Sequence, residues 1–94
     1  MEYVEKLEQV FKGLANRRRL AIIRVLSREK ELPVAEVARR IRLSFTSTSK
    51  HLGILKNLDI LDRRQQDLTV YHSLSGELPA TVSKVLPTIS NSRE

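Results

Sequence analysis

Apolar residues return along this chain at two different intervals, and the change of interval divides it into elements. Val34, Val37, Ala38 and Ile41 follow an i, i+3, i+4, i+7 spacing that places all four on one face of a helix. Glu36, Arg39 and Arg40 occupy its polar faces. After the turn Arg42-Leu43, Ser44 is suited to cap a second helix, whose inward stripe is Thr48, Leu52, Leu55 and Leu58. The interval then falls to two. Leu68, Val70, His72 and Leu74 alternate with Thr69, Tyr71 and Ser73, and this run faces Leu61 to Arg64 across the polar tip Gln65-Gln66-Asp67. A β-hairpin is expected over 61–74.

Helical spacing also governs the flanks. Val4, Leu7, Val10, Phe11 and Leu14 predict a helix from about Glu2 to Gly13, with Gly13 placed to end it. Asn16 then caps a helix running to about Ser27, with Leu20, Ile23 and Leu26 inward. Beyond the hairpin, Ser75 is expected to cap a last helix with Pro79 in its first turn, where a missing N–H costs nothing. Leu78, Val82, Val85, Leu86 and Ile89 mark its apolar face; Pro87 is expected to end or kink it, and Ser90 to Glu94 to fray. This order describes a mainly α fold with a small β-hairpin, a winged helix-turn-helix of about five helices plus a two-stranded wing. The helix-turn-helix is 34–58 and the wing 61–74.

Ninety-four residues without linker, repeat or low-complexity segment read as one domain, 1–94, near the lower end at which a single core folds alone. The terminal helices, 1–15 and 76–90, carry apolar stripes wider than a small core needs. Val4, Leu7, Phe11, Leu78, Val82, Val85, Leu86 and Ile89 are therefore read as a homodimer interface, against the plainer alternative that they pack onto their own core.

Net charge is +6, unevenly placed: residues 16–64 hold 13 Lys and Arg against 5 Asp and Glu, while each flank sums to −1. A polyanionic partner follows, because phosphate neutralisation supplies most non-specific affinity for nucleic acid. A basic solvated surface is the bland alternative. On the second helix of the pair, Thr46, Ser47, Ser49, Lys50 and His51 form an outward face of short polar and basic groups, free of bulky apolar residues and suited to base edges and phosphates in a major groove. His51 lies beside the inward stripe, so a phosphate contact and half-buried packing both remain open. Arg63 and Arg64, just before the wing tip, are expected to touch the sugar-phosphate backbone. Arg17-Arg18-Arg19 opens its helix with cations that oppose the macrodipole, at up to about 0.3–1 kcal/mol each when exposed. Either solvent screens the run, or an anion sits nearby and Arg17 and Arg18 act as a phosphate clamp.

No apolar run approaches the roughly 20 residues needed to cross a bilayer, and no signal-peptide pattern opens the chain, so a cytoplasmic protein without membrane contact is expected. With no cysteine, disulfides, thiolate metal sites and a cysteine nucleophile are excluded. His72 on the apolar face of the wing strand reads as a core histidine. Neither histidine has a Ser or Asp arrangement suggesting nucleophilic catalysis, and there is no glycine-rich phosphate loop, so no enzyme is expected.

Three motifs in order then resemble the ArsR/SmtB family of winged helix-turn-helix transcriptional repressors. Phe11-Lys12-Gly13-Leu14-Ala15-Asn16-Arg17-Arg18-Arg19-Leu20 is similar to that family's F-x-x-L-[AS]-[DN]-x-x-R-L entry into its second helix. Leu43-Ser44 followed by Ser49-Lys50-His51-Leu52-Gly53-Ile54-Leu55-Lys56 resembles the recognition helix, and Tyr71-His72-Ser73-Leu74 the close of the wing. The resemblance covers about 5–75. It implies a homodimer formed by terminal helices, bound to an inverted repeat in duplex DNA with half-sites roughly 34 Å apart. It implies DNA contacts from Arg42, Ser44, Thr46, Ser47, Ser49, Lys50, His51, Lys56, Arg63, Arg64 and Gln66.

The chain departs from the family at its metal motif, E-L-C-V-C-D-L, where it reads Glu31-Leu32-Pro33-Val34-Ala35-Glu36-Val37. Its last helix offers only Glu77 and Glu94 in place of Asp and His ligands. No metal and no other cofactor is expected, and the expected function is a repressor without metal sensing. A protein-interaction module and a non-specific chromatin-like nucleic-acid binder are the alternatives. Three positions where the family often places glycine carry Arg42, Asp59 and Asp67, and Gly53 sits inside the recognition helix. Either DNA or a neighbouring helix approaches Gly53 closely.

Overall fold

A computed structural model describes residues 1–93; Glu94, named above as a candidate ligand, lies outside them. The described elements are α1 (Glu2–Leu14), α2 (Arg17–Leu26), β1 (Leu32–Pro33), α3 (Val34–Ile41), α4 (Phe45–Asn57), β2 (Leu61–Gln66), β3 (Thr69–Leu74) and α5 (Ala80–Ser90). Their order is that of a winged helix-turn-helix, mainly α with a β-wing.

Local chemistry sets several boundaries. Asn16 Oδ1 accepts the backbone N–H groups of Arg18 and Arg19, at 3.0 and 3.1 Å, and so opens α2. Ser44 Oγ accepts the N–H of Ser47 at 3.1 Å and opens α4. Arg42, Asp59 and Asp67 all adopt positive φ, at 56°, 62° and 55°, at the turn after α3, the exit from α4 and the wing tip. A side chain in this left-handed region costs roughly 1–2 kcal/mol, which Asp relieves better than Arg.

Other boundaries differ from the sequence pattern. Gly13 does not end α1: the helix continues to Leu14, and Ala15 follows it with φ −79°. A Cβ at Gly13 would come within 2.2 Å of Leu58 Cδ1, so a larger residue there would require the Leu58 methyl to move. Ser75 does not cap α5; its Oγ accepts the N–H of Glu77 at 3.0 Å within a turn, and the helix starts three residues later behind Pro79. Pro87 does not end α5, which runs on to Ser90 and loses only the single bond that a proline nitrogen cannot donate.

The first wing strand extends further than the sequence pattern suggests, to Gln66, and the second starts one residue later, at Thr69. Pairing runs from Leu61 opposite Leu74 to Gln66 opposite Thr69, leaving only Asp67 and Leu68 for the turn. Leu68 is therefore a tip residue, 97% exposed, and not part of the strand. A third strand joins the hairpin: β1 pairs antiparallel with β3, Leu32 opposite His72 and Pro33 opposite Tyr71.

The core gathers Val10 and Leu14 of α1, Ile22, Ile23 and Leu26 of α2, Val37 and Ile41 of α3, Leu52 and Leu55 of α4, with Ile60, Leu61, Val82 and Ile89. Ile22 takes the inward place expected of Leu20, which lies at the surface. Val82 and Ile89, read above as dimer contacts, face this core and are 0% and 9% exposed. Two buried polar atoms are without a hydrogen-bond partner among the described residues, Thr48 Oγ1 and His72 Nδ1.

Candidate nucleic-acid interface

The turn Arg42-Leu43-Ser44, with Arg42 at φ 56°, separates α3 from α4, which turns Thr48, Leu52 and Leu55 inward. Ser44 caps its first turn; Thr46 and Lys50 are exposed, while Ser47, Ser49 and His51 are half-buried. Ser49, Gly53 and Lys56 follow one another at helical spacing, so Lys56 lies roughly 10 Å along the axis from Ser49. A Cβ added at Gly53 would meet nothing within 4 Å, so no neighbouring helix of this chain requires the glycine. The open space lies on the outer side of the helix.

The expectation of a face free of bulky apolar residues is corrected at two positions; Ile54, i+4 from Lys50, is 42% exposed. Phe45, the first residue of α4, is 58% exposed, so a bulky apolar group does stand at its leading end. Beside it are Pro33, Val34, Ala35, Leu68, Thr69 and Val70, which together shape a shallow groove of about 220 Å³ between the start of α4 and the wing tip. In the sequence Phe45 breaks no stripe and sits between a cap and a polar run, so periodicity has nothing to say about it.

The arginines opening α2 are placed by long-range bonds that sequence spacing does not reveal. Arg19 donates from Nε to Gly13 O at 2.6 Å and from Nη2 to Lys12 O at 3.3 Å, and its Nη1 stands 3.1 Å from His51 Nδ1. Arg18 donates from Nη1 to Ile41 O at 3.1 Å. Both cations oppose the dipole of α2, yet they sit at the carbonyl ends of α1 and α3, where positive charge is favoured. Arg17, at the same helix start, is exposed.

His51 therefore does more than pack. A guanidinium only donates, so Nδ1 of the neutral ring accepts and the proton resides on Nε2. Partial burial first, then the charges of Arg19 and Arg18, push its pKa below the ordinary histidine value. His72, buried on β3, is likewise pushed down, by burial and then by Arg63.

On the wing, the two arginines differ. Arg64 is tied to Glu31 through one guanidinium edge, donating from Nε to Oε2 and from Nη2 to Oε1, donates from Nη1 to Gln66 Oε1 at 2.7 Å, and lies over the Tyr71 ring with its guanidinium carbon 4.8 Å from the centroid. The bond from Arg64 holds the Glu31 carboxyl below the usual carboxylate range. Arg64 and Gln66 are thus engaged with the wing and the loop before β1, whereas Arg63, opposite His72, is exposed. Of the two arginines expected to meet phosphate, Arg64 has a carboxylate partner among the described residues, in Glu31.

On α3, Glu36 accepts from Arg39 Nε at 3.0 Å and from Arg40 Nε at 2.8 Å, and Arg40 Nη1 reaches Glu29 at 2.7 Å. The bonds from Arg39 and then Arg40 lower the Glu36 pKa to about 2. This network fixes the polar face of α3 and offers no free cation there. Among the described residues, no three His, Cys, Asp or Glu side chains gather as a metal site, and no helix is long and apolar enough to cross a membrane.

Apolar side chains outside the core concentrate on α1. Val4, Leu7, Phe11 and Ala15 line an open groove of about 440 Å³, with Val4 and Phe11 each about half exposed. Of the α5 residues, Val85 is 36% exposed, while Leu78 before the helix and Leu86 pack partly against the core.

No family model matches the chain. Its sequence is 45% identical over 69 residues to a cadmium resistance transcriptional regulatory protein CadC homolog of Staphylococcus aureus, covering 73% of this chain and 57% of that protein. It is 35% identical over 78 residues to the arsenical resistance operon repressor of Escherichia coli strain K12, covering 83% of this chain and 67% of that one. Among solved structures, the homodimeric winged helix-turn-helix DNA-binding domain of a Mycobacterium bovis protein superposes with a TM-score of 0.79 at 25% identity, over 94% of this chain and 78% of that chain.

Proposed function

This chain belongs to the ArsR family of winged helix-turn-helix transcriptional regulators, and we propose that it binds a specific inverted repeat in duplex DNA as a homodimer and represses by occluding a promoter. The observation that carries this reading is the outer face of α4: Thr46 and Lys50 are exposed on a capped helix, and the space over Gly53 is open. A helix presented in this way fits a major groove, where short polar side chains reach base edges and lysines reach phosphates. Ser44, Ser47, Ser49, His51, Lys56 and Arg42 belong to the same contact surface, and Arg63 serves as the wing's backbone contact.

The dimer is assigned to the α1 groove of Val4, Leu7 and Phe11, extended by Val85, Leu86 and Leu78 on the α5 side. The homodimeric state of the Mycobacterium bovis domain supports it. Metal sensing is left out of the reading, because Pro33 and Ala35 stand where the family motif has thiolates. A protein with this function works in the cytoplasm.

Selection of bound sequences from a random duplex library, at near-physiological salt with competitor DNA, tests the reading. Enrichment of an inverted repeat with half-sites about one helical turn apart is expected. Binding without enrichment would replace specific regulation by a chromatin-like role, and absence of binding would favour a protein partner.

A further inference from the structure

Phe45 exposes a phenyl ring that the core does not use. It is the first residue of α4, 58% exposed, and belongs neither to the buried cluster nor to the apolar side chains packed against it. Its backbone is nevertheless fixed: Ser44 Oγ accepts the N–H of Ser47 at 3.1 Å, and Ser44 O accepts that of Thr48 at 3.0 Å, closing the turn in which Phe45 lies. A rigid ring on a held backbone loses little conformational entropy when a partner covers it.

The ring continues the surface read above as the DNA contact. Phe45, Ser49, Gly53 and Lys56 are spaced i, i+4, i+8, i+11, so Phe45 adds one turn to the row that passes under the open space over Gly53. Recognition helices bring their N-terminal residues to base edges, and Phe45 stands at that end. On its other side, Pro33, Val34 and Ala35, with Leu68 and Val70 of the wing, shape the groove of about 220 Å³. Apart from Thr69, the described lining is apolar. Such a surface has little to offer the donors and acceptors of a base pair. In a major groove the apolar group that a base presents is the C5 methyl of thymine.

We propose that Phe45 is a specificity-determining residue that seats the C5 methyl of one thymine in each half-site against its ring and the adjoining groove. Resting on the DNA reading of α4, this assignment adds the base that the position selects. Cytosine at the same place lacks the methyl and turns its N4 amino donor toward apolar carbon, where it goes unpaired. Continuity with the row of Ser49, Gly53 and Lys56 favours DNA over a second copy of the chain, whose contact is assigned to α1.

Deoxyuridine in place of thymine deletes the methyl and nothing else. The probe is the duplex operator enriched by selection, with each thymine changed to deoxyuridine in turn, bound by the full chain. At one thymine per half-site the unsubstituted chain should lose about fourfold in affinity, the scale of one methyl group removed from water. Phe45→Ala should bind the thymine and deoxyuridine duplexes alike at that position and keep any methyl dependence elsewhere. Phe45→Leu, which retains apolar surface, should keep part of the difference. Both variants should melt with the unsubstituted chain, since the ring lies outside the core, and the salt slope should not change, since no phosphate contact is removed. Equal thymine-to-deoxyuridine ratios in the unsubstituted chain and Phe45→Ala at every position would overturn the proposal and leave the DNA reading standing. With those equal ratios, a uniform loss of affinity would put the ring on deoxyribose, and a change of oligomeric state would put it on a second copy. Absence of any enriched operator would overturn both readings.

Discussion

Arg19 links His51 of α4 to the last turn of α1, with 3.1 Å between Nη1 and Nδ1 and 2.6 Å from Nε to Gly13 O. One guanidinium thus joins the helix assigned to dimerisation and the helix assigned to recognition. The same Gly13 accommodates the Leu58 methyl at the far end of α4, so the two helices meet at two places.

This arrangement predicts a pH response. Both His51 and His72 have folded pKa values below the ordinary 6.5, each through burial first. The unfolded chain therefore binds protons near pH 6.5 that the folded chain refuses, so stability is complete above that pH and declines as pH falls toward the depressed values. Melting temperature should be flat from about pH 8 to 7 and fall below about 6.5. Arg19→Gln should raise the His51 pKa measured by NMR and leave that of His72 in place. An unchanged His51 titration would show that the pair does not form in solution.

The wing arginines should separate under salt. Arg63→Ala is expected to weaken DNA binding for all sequences and reduce the slope of log affinity against log salt by about 1. Arg64→Ala should change that slope less, because its charge is already matched by Glu31. Equal slopes for the two variants would mean that Arg64 leaves Glu31 when DNA arrives.

Gly53→Ala gives opposite signs in two measurements. Alanine in a helix interior is more favourable by up to about 1 kcal/mol, and nothing in the chain resists the added methyl, so denaturant unfolding should show a gain. If DNA occupies the open space over Gly53, affinity for the selected operator should drop. A gain in both stability and affinity would remove Gly53 from the contact surface.

Parts of this fold were legible because their cause is local. Asn16 and Ser44 cap the helices that follow them through bonds to N–H groups two or three residues on, and the stripes of α3 and α4 fix which side is buried. The expectation that Arg42, Asp59 and Asp67 replace glycines came from family resemblance, and their positive φ values give it a physical cause. Periodicity, however, tells which face is covered and not what covers it. The stripe of α5 looked like a dimer surface, yet Val82 and Ile89 lie against the chain's own α2 side of the core. Strand β1 has only two residues, one of them proline, and exists through its partner β3. The partners of Arg18 and Arg19 lie on other helices, beyond any spacing rule.

Thr48 carries a stability prediction of its own. Its hydroxyl is fully buried on the inward stripe of α4 and has no hydrogen-bond partner among the described residues. Replacing it with a methyl of similar size removes that unmet bond, so Thr48→Val should raise unfolding free energy by about 1 kcal/mol or more. Loss of stability instead would reveal an ordered water on Oγ1.

The terminal helices allow the interface to be separated from the core. Phe11 is 50% exposed and Val82 is fully buried, although both belong to the apolar stripes of their helices. Phe11→Glu places a charge in the α1 groove while leaving the core intact, so it should convert a dimer to a monomer in sedimentation. Operator affinity should fall with it, since two linked reading heads bind far more tightly than one. Val82→Ala should instead cost about 2 kcal/mol of unfolding free energy, from the lost burial and the cavity left behind, with the oligomeric state retained at temperatures below the transition. If Phe11→Glu remains dimeric, the contact lies on another surface, and the exposed Leu20 and Val85 on α2 and α5 become the positions to charge next.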